Sequence, residues 1–181
     1  MIKFNSKITV KILDYFFLNP QKKRYINELA DIIEVDVGNL FRKLKELESE
    51  GIFSSESQGN QKYYFLNKNY PLLKELKKIF EAKYGLTNIL KEKLLQLKNL
   101  REAYIFGSYA KDSLQQESDI DVLLIGNHSS IEAQKLIIPI QKTIGREVNV
   151  IDITKQDFDE RKKRKDEFIN NIFSDKVIKL I

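Results

Sequence analysis

The 181-residue chain has no cysteine and a single histidine. No disulfide framework, thiolate nucleophile or cysteine-ligated zinc is open to it. His128 has no second histidine to join it in a metal site, and it falls in a loop-like segment, GNHSS, unsuited to a serine–histidine triad. Any metal must therefore be a hard cation held by carboxylates, with magnesium first and manganese as its substitute. No apolar run approaches the roughly 18 residues of a membrane span. The N-terminus MIKFNSKITVKILDY lacks the layout of a signal peptide. The expectation is a cytoplasmic protein with no membrane partner.

What is present supports a folded core. Hydrophobic residues make up 42% and charged residues 31%, which excludes a disordered tail or a fibrous repeat. The net charge of +5 is uneven along the chain. Residues 71–100 carry 7 Lys+Arg against 3 Asp+Glu, whereas residues 1–70 carry 11 against 9 and residues 101–181 carry 13 against 14. So mild an average does not by itself define a nucleic-acid binder; the placement of charge must decide.

Periodicity divides the chain into domains at 1–70 and 101–181, joined by a connector at 71–100. Ile8, Ile12, Leu13, Phe16 and Phe17 recur at helical spacing until Asn19-Pro20. A short helix fits Asn27–Glu34, and Asp36 caps a third whose stripe is Val37, Leu40, Leu44 and Leu47, stopped by Gly51. Two strand-like runs, Ile52–Ser55 and Lys62–Leu66, flank a polar turn. Helical spacing returns from Pro71 to about Leu100, bent near Gly85, with apolar residues on more than one face. That connector is a candidate dimer surface, so a homodimer is expected. After Arg101 the pattern alternates: strands at Ala103–Phe106, Ile120–Ile125 and Val148–Ile153, a helix at Ile131–Ile144, a charged helix over Lys155–Phe173 and a closing strand at Val177–Ile181. The fold class expected is a two-domain α+β and α/β protein with a small mixed sheet in its second domain.

The chemistry concentrates in one segment. Gly107 ends a strand and Ser108 starts the next helical turn; ten residues intervene, and Asp119-Ile120-Asp121 opens the next strand. Glycine lets backbone approach a ligand closely, and the serine hydroxyl sits among free N–H groups that favour phosphate. Carboxylates two apart on a strand share a face and can hold one or two magnesium ions on a triphosphate. An acidic start to the apolar run VLLI is costly unless it serves a purpose.

The segment IFGSYAKDSLQQESDIDVLLI, residues 105–125, resembles the minimal nucleotidyltransferases of the polymerase β superfamily, and GREVNVIDIT extends the likeness more weakly. The resemblance implies that Gly107 and Ser108 contact the nucleotide. It also implies that Asp119 and Asp121 are catalytic metal ligands, and that the reaction moves a nucleoside monophosphate from ATP or another NTP to a hydroxyl with release of pyrophosphate. Asn149 falls where the family carries a third carboxylate; Glu147 is its possible substitute, and Asp152 should point to the other face. Related minimal transferases modify the toxin of a toxin–antitoxin pair, so a toxin-like protein acceptor is one implied partner.

The segment YINELADIIEVDVGNLFRKLKELESEGIFSSESQGNQKYYFL resembles the winged helix-turn-helix regulators of bacteria and archaea. That likeness implies DNA as a partner, with Asn39, Arg42 and Lys43 on the reading helix and Lys62 beside the wing. Tyr63, Tyr64 and Phe65 read as core and wing packing, and Arg161-Lys162-Lys163-Arg164-Lys165 as a solvated helix face. The combined expectation is a DNA-binding regulator fused to a magnesium-dependent nucleotidyltransferase. Its alternative is a transcription factor whose transferase domain has decayed into a nucleotide or metal sensor.

Overall fold

A computed structural model describes residues 6–115 and 118–181. Two of the ten residues between the Gly-Ser pair and Asp119, and the first five of the 1–70 domain, lie outside the described residues. The chain divides into two compact units, Met1–Gly85 with Lys142–Gly145, and Leu86–Gln141 with Arg146–Ile181.

The first unit runs α1 (Lys7–Leu18), β1 (Arg24–Tyr25), α2 (Ile26–Ile33), α3 (Val37–Ser49), β2 (Phe53–Gln58), β3 (Gln61–Leu66) and α4 (Leu73–Tyr84). Its three strands form an antiparallel sheet in the order β1-β3-β2. Local signals set the boundaries: the Asp36 carboxylate accepts from the Asn39 N–H at 2.9 Å at the start of α3. At its end Gly51 takes φ +79°, the left-handed conformation that glycine tolerates without strain. The core gathers Ile12, Leu13, Phe16, Leu29, Leu40, Leu44, Phe53 and Phe80. Val37, expected in the α3 stripe, lines up with Leu44 two turns on but is 41% exposed at the first position of the helix.

The second unit runs α5 (Leu86–Leu94), β4 (Leu100–Phe106), α6 (Gly107–Ala110), β5 (Ile120–Gly126), α7 (Ser130–Ile144, as far as Gln141 in this unit), β6 (Val148–Ile153), α8 (Lys155–Lys163), α9 (Glu167–Ser174) and β7 (Ile178–Lys179). The sheet order is β6-β5-β4-β7; β5 and β6 are parallel, the other pairs antiparallel. This is a mixed α/β domain around a small mixed sheet. The parallel pair needs a crossover, and α7 supplies it. Leu123 and Ile125 pack with Phe158, Ile169 and Ile172 on one face, while Val122 and Leu124 are fully buried on the other. Burial on both faces explains why β5 reads as an unbroken apolar run.

The single charged helix expected over Lys155–Phe173 is two. The first ends at Lys163, Lys165 takes φ +56°, and Asp166 caps α9 by accepting from the Ile169 N–H at 3.3 Å. The five-cation run therefore straddles a break. Arg161 pairs with Asp157 at 2.9 Å and Arg164 with Asp166 at 3.4 Å, both on the surface.

Candidate functional site

Register brings the acidic and glycine segments together. Phe106, the last residue of β4, pairs with Asp121 on β5, so Gly107 turns away from the sheet directly beside that carboxylate. Gly107 has φ +71°, and a Cβ placed there would lie 2.3 Å from Asp121 Oδ2. No other residue fits without displacing the carboxylate. Ser108 follows in the one-turn α6, half-buried.

On the other side β6 runs parallel to β5, and Asn149 is the register partner of Asp121. The Asn149 amide donates to Asp121 Oδ1 at 3.2 Å. Asp121 is half-buried, whereas Asp119 is exposed one residue before β5 begins. Burial raises the Asp121 carboxyl above its ordinary range; the Asn149 hydrogen bond opposes that rise and the nearby charge of Asp119 adds to it. A carboxylate that holds its charge at such a cost, next to a second one, favours a bound cation. The donors are hard oxygens, so the pair suits magnesium or manganese better than a soft metal.

The flanking acids stay apart from this pair. Among the described residues no cluster of three or more Asp, Glu, His or Cys is placed to share a metal. Glu147 is exposed, and its backbone carbonyl accepts from the Ile120 N–H at 3.0 Å. Asp152 bonds His128 Nε2 at 2.6 Å. That contact was not foreseen: it joins residues 24 apart, and it takes the chain's one histidine out of the candidate site. A cavity of about 240 Å³ lined by Asn99, Arg101, Asn127 and Lys155 lies at the opposite end of β4 and β5 from Asp121. Lys155 there already meets Glu102 at 3.1 Å and Asp159 at 3.0 Å, which cancels much of its attraction for an anion.

In the first unit, the residues expected to touch DNA lie on α3 and β3. Asn39 accepts from Arg42, Lys43 pairs with Glu46 at 2.6 Å, and Lys62 pairs with Glu48 at 3.1 Å. Arg42 and Lys62 are exposed, Asn39 and Lys43 half-buried. Phe41, 40% exposed on the same helix with the Lys45 ammonium 4.9 Å from its ring centre, escaped the sequence reading. Tyr64 is buried, and Tyr63 packs edge-to-face on Tyr25.

The nucleotidyltransferase domain family model matches residues 73–178, more than half of the chain. The chain therefore belongs to the nucleotidyltransferase domain family. No curated protein matches the sequence. Among solved structures, a crystal structure of the toxin–antitoxin MntA–HpeT is similar at 15% identity and a TM-score of 0.40, over 52% of this chain and 72% of that one. A toxin–antitoxin structure with AMP-PNP is similar at 17% and 0.40, over 53% and 73%. The crystal structure of a proposed nucleotidyltransferase from Sulfolobus solfataricus gives 26% and 0.28, over 41% and 68%. At TM-scores this low, the family match is what places the chain. Among the described residues no helix is long and apolar enough to cross a membrane.

Proposed function

We propose that the second unit is a magnesium-dependent nucleotidyltransferase that moves AMP from ATP to an acceptor hydroxyl, and that the first unit is a winged helix-turn-helix module that binds DNA. The observation that carries the transferase reading is the approach of Gly107 to Asp121. It sets a left-handed backbone turn, a serine and two carboxylates at one end of the sheet, where β4 ends and β5 begins. In this reading Asp119 and Asp121 hold the divalent ion, which neutralises charge on the triphosphate when bound. Gly107 and Ser108 face the phosphates in this reading, and the missing side chain of Gly107 leaves its space to the Asp121 carboxylate.

The order of three helices and a hairpin, with Arg42 and Lys62 at the surface, supports the DNA-binding module. Leu72 and Ile79, 58% and 62% exposed and two helical turns apart beside and on α4, support a homodimer through that face. A toxin-like protein acceptor rests on the likeness of residues 105–125 to the minimal transferases.

One observation favours a second reading, a nucleotide sensor without transfer activity. Asn149 stands beside Asp121, and its amide cannot take a proton from an attacking hydroxyl. Both readings require magnesium-dependent ATP binding through the two aspartates. Calorimetry should give ATP binding to the wild type that is lost in a folded Asp119→Asn/Asp121→Asn double variant. Equal binding by the two proteins would remove the site from both readings.

A further inference from the structure

We propose that this site takes one divalent cation per bound nucleotide, and that Asn149 is the residue that excludes a second. The inference rests on the nucleotide-binding reading above and concerns how this chain's own side chains divide the charge.

Two cations held close together on one triphosphate repel each other strongly, so a two-metal site needs anionic side chains that bridge or flank both ions. The charge that the described residues bring here is small. Asp119 and Asp121 are two carboxylates, and among the described residues no third Asp, Glu or His joins them. Asp152, on β6 beyond Asn149, is committed to His128 at 2.6 Å. Glu147 contributes its backbone carbonyl to the Ile120 N–H, and its exposed side chain belongs to no metal-holding group. The residue that register sets beside Asp121 is the neutral Asn149.

The geometry around Asp121 works in the same direction. Its Oδ1 accepts the Asn149 amide at 3.2 Å. The reverse orientation of that amide would set two oxygens against each other, so the donor faces the carboxylate. A donor N–H brings partial positive charge, and no anionic oxygen, to the side of Asp121. Oδ2 lies against Gly107, where an added Cβ would stand 2.3 Å away. One oxygen of Asp121 is thus engaged by Asn149 and the other is closed on one side by backbone. That arrangement leaves an approach for one ion shared with Asp119, and it disfavours bridging two.

Electron paramagnetic resonance can count Mn²⁺ ions per protein-bound nucleotide, with a non-hydrolysable ATP analogue as the probe. The wild type should saturate at one Mn²⁺ per nucleotide, and Asn149→Asp at two. Asn149→Ala, which stays neutral, should remain at one. Two ions in the wild type would overturn the proposal while leaving the nucleotide site standing. One ion in a folded Asn149→Asp protein would overturn the assignment to Asn149. Failure of the analogue and Mn²⁺ to bind the wild type at all would remove the nucleotide reading and this proposal with it. Circular dichroism of each variant separates these outcomes from misfolding, and the wild-type count stands on its own.

Discussion

Gly107 combines φ +71° with direct contact against a carboxylate, so a methyl group there meets two penalties at once. Gly107→Ala should lower thermal stability by about 1–3 kcal/mol from backbone strain alone. It should also weaken ATP binding at least about tenfold by displacing Asp121, a loss of about 1.4 kcal/mol. Calorimetry beside a thermal melt would show both, and an unaltered affinity would mean that Asp121 is free to move. Asp14 on α1 gives a separate residue-scale prediction. Burial, and secondarily the charge of Glu81, push its carboxyl up to about 7 from 3.8. The folded state therefore holds a proton on Asp14 that the unfolded state has released. Stability is highest below the unfolded value and falls as pH rises from about 4 through 7, by at most about 4 kcal/mol. Asp14→Asn should remove that slope, so urea midpoints at pH 5 and pH 8 should converge in the variant relative to the wild type. A slope equal to the wild type's would assign the pH dependence to other groups.

At the scale of elements, short polar signals carried most of what could be read in advance. Asp36 opens α3 through its bond to the Asn39 N–H, and Asp36→Ala should cost about 1 kcal/mol in a thermal or urea melt. No measurable change would mean that α3 is held by its Leu40–Leu44–Leu47 face alone. Asn19-Pro20, Gly51 and the apolar runs of β5 and β6 likewise marked their elements in the sequence, because each acts within a few residues of itself. Signals that depend on distant partners were not legible. The two-residue β1 exists only because Arg24 and Tyr25 pair with Tyr64 and Tyr63. The break between α8 and α9 hides inside a continuous run of charge, which has the same composition in a helix as in a turn. At the site, spacing alone picked out Gly107, Ser108, Asp119 and Asp121. The pairing of Phe106 with Asp121, and the bond that ties Asp152 to His128, needed the sheet register and the loop after β5.

For the whole molecule, the proposed DNA-binding unit and the nucleotidyltransferase domain each predict a loss the other should not share. Arg42→Ala should reduce DNA affinity by about 1–3 kcal/mol in a mobility-shift titration and leave ATP binding untouched. Undiminished DNA binding would move the contact elsewhere. Ile79→Glu should convert the expected dimer to a monomer in sedimentation at micromolar protein; a wild type already monomeric there would remove the α4 face from the proposal. The central claim is transfer itself. The direct measurement incubates the protein with magnesium, ATP labelled at the α-phosphate and a lysate of its own cells, alongside Asp119→Asn/Asp121→Asn. A nucleotidyltransferase should pass label to a macromolecule with the wild type and lose that transfer in the variant. ATP bound by the wild type with no label moved would contradict the transferase and leave the sensor.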